Sequence, residues 1–381
     1  MHSKYSTAAL LLTGAALFTS ASTCRAQAVA TQYQANYTLV SLGFPVDVPG
    51  PLGGVVFLDR NTLLVGGAAN GGAGALYAVP LTRDGGGNIV GFAGPGTFYA
   101  PAPGIDGGLF YFPNGGIGFM QWPVHLLGYI RPFTNVVSQT TDLTPFLAGS
   151  VGTGTVIPPG FPNQGRLLIG SYGSSQWVVV NFVDSTTAPT TYDFQTPVVA
   201  GPVSAGSGPE GVIYVPTNSP QFATRTMLIC EYSAGKVSAF DVDGSGLPVP
   251  ASQRDFVVGL SGAEGGVLDP FSGQFVFSTF GGGGVVVVRG FGSPTAVTRC
   301  QPADIADDAG DVIPSFGVNS GVNEGDYNGF FNNFFSANTV CDIAYDNGTP
   351  RPPFGAATGV NNGVNEGDYN CFFANFFNGC P

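Results

Sequence analysis

The sequence predicts an all-β protein, a five-bladed β-propeller with six blades as the alternative count, followed by a small helical module built on calcium-type loops. Three observations carry this expectation. A glycine-led motif returns at intervals of about 50 residues through the middle of the chain. Each copy is followed by aliphatic runs separated by glycine-rich turns, four to a unit. Beyond Cys300 the character changes, and one long segment appears twice.

Composition agrees. Of 381 residues, 44% are hydrophobic and 31 are Phe, while charged residues make up only 9%, so the chain can fill a sizeable core. Its 59 Gly and 30 Pro are scattered among Val, Leu and Phe, the pattern of short strands joined by tight turns. The net charge of −12 repels phosphate backbones and argues against nucleic acid as a partner. Where carboxylates cluster, the same charge suits divalent cations.

The chain opens with a short basic start (His2, Lys4), an apolar run from Ala8 to Phe18, and the small-x-small stretch Ala26-Gln27-Ala28. This reads as an export signal over residues 1–28, too short to act as a transmembrane anchor. The mature protein is expected to be secreted, extracellular or at the cell surface. Export favours disulfides, and the candidates are Cys300, Cys341, Cys371 and Cys380. Cys230, within the strand-like Met227–Cys230, reads as a buried thiol, and no His–Cys arrangement supports catalysis.

The repeat defines the propeller over residues 36–292. Gly50–Phe57 recurs as Gly104–Tyr111, Gly208–Tyr214 and Ala263–Leu268, with a degenerate copy near Gly154–Ile157. Second strands are expected at Thr62–Val65, Arg166–Ile169, Met227–Cys230 and Gln274–Phe277. Third strands follow at Ala75–Val79, Trp177–Val180, Lys236–Phe240 and Val285–Val288, and fourth strands at segments such as Asn88–Phe92 and Asp255–Val258. The last copy lacks a fourth strand, and Asn36–Ser41 is positioned to supply it and close the ring. A sandwich or solenoid of loose repeats is the alternative. On these features the segment resembles extracellular propellers of degenerate repeats, the gluconolactonase-like and NHL-like groups.

Asp106, Glu210 and Glu264 stand at the same place in three copies, just before the glycine that opens the innermost strand, where copy one has Leu52. Equivalent inner-strand ends ring one mouth of the channel, so the three carboxylates form a candidate ligand site for a cation or a sugar. Gluconolactonase-like enzymes place a metal-binding Glu in a Pro-Glu-Gly setting like Pro209-Glu210-Gly211, but the family's Asn and Asp ligands have no match here. The alternative is that the acids accept backbone N–H bonds in a turn. Trp122 and Trp177 can stack on sugars or pack in the core.

After a linker over residues 293–299, the tail spans 300–381. Gly317–Phe335 returns as Gly359–Phe377, and Ala303–Asp308 pairs with Cys341–Asp346. Each half reads as an oxygen-rich loop feeding a helix, with Ca2+ ligands expected at Asp304, Asp308, Asn323 and Asp326, then at Asp342, Asp346, Asn365 and Asp368. Asn323 and Asn365 are also candidate helix caps with an acid three residues on. Tyr327, Phe330, Phe331, Phe334 and Phe335 form one helical stripe for the two halves to pack through. The alternative is a disulfide-stapled helix pair whose acids only cap turns. This segment resembles the dockerin family, in its bacterial form ending in Gly-Cys. It departs from that pattern in the long inserts within each loop and in Ala306 and Ala344 where a ligand belongs.

The resemblance implies calcium-dependent docking to a cohesin-like or cell-surface protein. Two functions follow: a non-enzymatic binding or scaffold protein whose propeller recognises a glycan or protein, or a metal-dependent hydrolase or lactonase using the acidic mouth.

Overall fold

The computed structural model describes residues 26–292, apart from 60, 113–115, 132–133, 187–190 and 271. In the tail it describes 303, 305–306, 310, 322–338, 341–344, 346, 348 and 363–377. Most of the export segment, the linker, Asp304, Asp308, Cys300 and Cys380 lie outside the described residues.

Five antiparallel sheets make the propeller. Strand β1 (Ala28–Val29) and strand β2 (Thr38–Gly43) come first in the chain but serve the last two blades. Blade one contains β3 (Val55–Asp59), β4 (Thr62–Gly67), β5 (Ala75–Arg83), β6 (Ile89–Phe92) and β7 (Thr97–Pro101). Blade two contains β8 (Ile105–Tyr111), β9 (Ile117–Gln121), β10 (Leu126–Ile130) and β11 (Val137–Asp142). Blade three contains β12 (Val151–Val156), β13 (Leu167–Ser171), β14 (Gln176–Asp184) and β15 (Tyr192–Ser204). Blade four contains β16 (Pro209–Tyr214), β17 (Thr226–Glu231), β18 (Lys236–Asp241) and β19 (Arg254–Val258), with β1 added at its rim. Blade five contains β20 (Ala263–Leu268), β21 (Phe275–Thr279) and β22 (Gly284–Arg289).

The ring closes as the sequence predicts. β2 pairs with β22, Leu39 opposite Val288 and Val40 opposite Val287, so the first long strand completes the last blade and leaves no open seam. The degenerate third copy is a full blade. Blade one differs from expectation at its outer edge: β7 is the fourth strand, pairing with Ala75–Ala78, whereas Ile89–Phe92 forms a hairpin with the far end of β5. β5 runs past the blade, so the first good strand signal after it pairs with the overhang.

Between blades the apolar faces interlock. Ile213, Leu228 and Val237 of blade four pack with Phe275, Phe277 and Val286 of blade five, and Trp177 is buried with Met227 and Phe240 across the blade three–four boundary. Trp177 is therefore a core residue, its Nε1 donating to Ala205 O at 2.9 Å. Close approach at the axis requires glycine: a Cβ on Gly54 would lie 2.5 Å from that of Leu109, and one on Gly211 would overlap the backbone nitrogen of Gly266.

The tail holds two equal helices, α1 (Glu324–Phe334) and α2 (Glu366–Phe376). Phe330 stacks on Phe372 with centroids 4.0 Å apart and 14° between planes, and Ile305, Ile343, Cys341 and Cys371 are buried in the same small core. Cys230, Cys341 and Cys371 are buried thiols, and no disulfide joins them. Among the described residues no helix is long and apolar enough to cross a membrane.

Candidate functional site: an acidic axis under an aromatic rim

Each inner strand of blades two to five opens with a β-bulge, visible as a register shift between Ile105 and Leu109, Val151 and Thr153, Pro209 and Val212, and Ala263 and Gly266. A bulge re-aims one side chain out of the ladder. In blades two, four and five that side chain is Asp106, Glu210 and Glu264; in blade three the matching position is Gly152 and in blade one Leu52. The sequence-predicted trio thus converges, with one carboxylate oxygen of each within 4.8 Å of the others. Gly152 makes room for it, since a Cβ there would lie 3.0 Å from Glu210 Oε2 and would overlap Pro209 O.

The three carboxyls are 1%, 2% and 0% exposed. Glu210 Oε2 accepts from Gly107 N at 3.2 Å, while Asp106 Oδ2 and both oxygens of Glu264 have no hydrogen-bond partner when ionised. Two unit charges at this separation repel by roughly 3 kcal/mol at an effective dielectric of about 20. Desolvation pushes the Asp106 carboxyl up to about 7, opposed by hydrogen bonds from Glu264 and Asn70. Desolvation, then the charges of its two neighbours, holds Glu210 well above the ordinary range; desolvation and Asp106 do the same to Glu264. Three bare charges cannot stay buried side by side, so the groups are either largely protonated or gathered around a cation.

Of what stands above them, sequence reasoning singled out only Trp122. At the residue after every second strand, a backbone N–H donates back to the segment before the inner strand of its own blade: Ala68 to Pro49 O, Trp122 to Gly104 O, Tyr172 to Ser150 O, Tyr232 to Gly208 O and Phe280 to Gly262 O. Four of these five positions are aromatic, and all four rings are partly exposed. Tyr172 meets Tyr232 edge-on at 5.9 Å, and Tyr232 meets Phe280 at 5.6 Å. The Tyr172 ring leans over Gly208 and the Tyr232 ring over Gly262, the glycines two residues ahead of Glu210 and Glu264. Desolvation raises the Tyr232 hydroxyl's pKa, with the charges of Glu264, Glu210 and Asp106 adding to it. Rim and acids therefore share one mouth.

In the tail, the expected calcium ligands have other duties. Asp326 Oδ1 accepts from Ile305 N at 2.7 Å and Ala306 N at 2.9 Å, and its Oδ2 accepts from Asn323 N at 2.9 Å. Asp368 repeats this with Ile343 N, Ala344 N and Asn365 N. Asn323 and Asn365 cap their helices through Gly325 N and Gly367 N, closing a capping box in each half. Asn365 Nδ2 turns toward Asp346 Oδ1 at 3.0 Å, and Asp342 is buried. Asp326 and Asp368 each accept three backbone N–H groups and Asn323 and Asn365 one each through Oδ1, so these oxygens already serve backbone donors at the helix starts.

No known protein-family model matches the chain, and no curated protein sequence matches it. Solved structures do. An auxiliary nutrient binding protein from Bacteroides ovatus is 13% identical, with a TM-score of 0.40 over 67% of this chain and 76% of its own. A carbohydrate-active enzyme of family AA12 from Trichoderma reesei is 10% identical, with a TM-score of 0.41 over 69% of this chain and 97% of its own. A streptogramin B lyase is 12% identical, with a TM-score of 0.35 over 67% and 98%. These similarities lie at the level of fold alone.

Proposed function

We propose that this is an exported binding protein whose propeller mouth takes a glycan and whose tail docks to a cohesin-like or other cell-surface protein. The observation that supports the glycan reading is the rim: Trp122, Tyr172, Tyr232 and Phe280 at four equivalent positions, partly exposed around one mouth. Ring faces of this kind stack on the apolar face of a sugar, and tyrosine hydroxyls bond to its oxygens. The hydrolase alternative needs acids that reach a substrate, and the deep burial of Asp106, Glu210 and Glu264 beneath the rim counts against it.

Docking through the tail is supported by its exposed rings. Phe335 and Phe377 are each 79% exposed, and Tyr327 and Tyr369 are exposed at matching places near the starts of the duplicated helices. Such paired apolar surface marks interaction faces. The docking proposed runs through these rings, since the best-placed carboxylates are already engaged.

A glycan panel probed with the full-length protein and with Tyr172→Ala/Tyr232→Ala tests the first half. Binding of a restricted glycan set by the parent, weakened tenfold or more in the variant, is expected. A parent that binds no glycan, or a variant that binds equally, removes the reading. For the tail, Phe335→Ser/Phe377→Ser should free the protein from the cell-envelope fraction; unchanged retention removes docking.

A further inference from the structure

We propose that Asp106, Glu210 and Glu264 hold a divalent cation, Ca2+ by its chemistry, on the propeller axis, where it ties blades two, four and five together. The proposal stands apart from the glycan reading above.

The donors are brought together by the fold, not by chance on a surface. Each acid occupies the bulge of its inner strand, each is buried, and when ionised three of their six carboxylate oxygens have no hydrogen-bond partner. A second group points the same way. The Asn70 side chain bonds Asp106, and its own Oδ1 is buried without a partner, leaving a neutral oxygen beside the acids. Buried polar atoms find partners almost without exception in folded proteins, so the orphaned oxygens of Asp106, Glu264 and Asn70 mark a missing partner.

The donor chemistry selects the cation. Every available ligand atom is an oxygen, which suits a hard ion and not the Zn2+ favoured by His and Cys. Mg2+ keeps much of its water shell in a strict octahedron, and the glycine-packed axis gives that shell no space. Ca2+ accepts an irregular set of carboxylate and carbonyl oxygens. Its two charges against three carboxylates leave one proton on the group, the others being displaced on binding.

The test uses the full-length protein, stripped with EDTA, reloaded with CaCl2 and freed of excess by gel filtration. Metal analysis of the parent and of Glu210→Gln/Glu264→Gln is expected to differ by one Ca2+ per chain, and the difference is immune to any ion held by the tail. Equal content in both overturns the proposal and leaves the carboxyls simply sharing protons. Should the double variant not fold, Tb3+ supplies the second readout. Excited through tyrosine, Tb3+ at the axis lies near Tyr232, so Tyr232→Phe should cut its emission at least twofold. Emission unchanged by that substitution also overturns the proposal.

Discussion

Glu210 of blade four reaches past blade three to accept a hydrogen bond from the backbone of Gly107 in blade two, Oε2 to N at 3.2 Å. Two blades that are not neighbours touch because the one between them has Gly152 at its inner edge. A methyl group at Gly152 would collide with Pro209 O, a backbone atom that cannot swing aside. Gly152→Ala should therefore destabilise the propeller by about 1–3 kcal/mol, read as a lower denaturant midpoint at unchanged m-value.

The raised carboxyls fix the sign of the pH dependence. Asp106 has an ordinary value of 3.8 in the unfolded chain and about 7 in the native one. Below both values the group is protonated in both states and contributes nothing. Between them only the native state holds the proton, so stability falls as pH rises, by about 1 kcal/mol per pH unit for one such group. In EDTA the denaturant midpoint should drop steadily from pH 4 to pH 7. Saturating Ca2+ should flatten that slope, because the bound ion favours the ionised form.

Ring closure gives a sharper mutational contrast. Leu39 and Val40 are adjacent in β2, and along a strand successive N–H groups point to opposite edges. One of Leu39→Pro and Val40→Pro removes a ladder hydrogen bond to β22, and the other faces the open side. The two variants should differ in stability by about 1–3 kcal/mol, the cost of a stranded partner. Equal melting temperatures would show that β2 does not hold the seam.

Asp326 gathers three backbone N–H groups, from Ile305, Ala306 and Asn323. Asp326→Ala strands all three, a loss on the order of 3 kcal/mol that should open the helix pair to protease. Glu324→Ala, at an exposed neighbour on the same first turn, should cost only a few tenths of a kcal/mol in helix-dipole energy. EDTA should leave the parent's protease resistance in this region unchanged.

Much of this is legible in the chain because the repeat is written in glycine. The inner strands must pass close at the axis, so Gly54, Gly108, Gly211 and Gly265 recur about once per 50-residue unit and expose the blades. The acidic trio is legible for the same reason, being one residue or two ahead of those glycines. The rim is not. Its positions are set by a backbone hydrogen bond that any residue can make, so Trp122, Tyr172, Tyr232 and Phe280 share no single letter. The outer edge of blade one misleads because Ile89–Phe92 carries a stronger strand pattern than Thr97–Pro101 and lies nearer β5. Asp326 and Asp368 are ambiguous in sequence: an acid three residues after Asn suits a calcium loop and a capping box equally, and spacing does not show that the Ile305 and Ile343 N–H groups turn toward these carboxylates.

The central physical claim is that the axis exchanges protons for a cation, and proton release measures it directly. EDTA-stripped, desalted protein is titrated with CaCl2 in weakly buffered solution at pH 7, side by side with Glu210→Gln/Glu264→Gln. The parent is expected to release about one proton or more per chain in excess of the double variant, since carboxyls must ionise to bind the metal. Identical traces for the two proteins would contradict it.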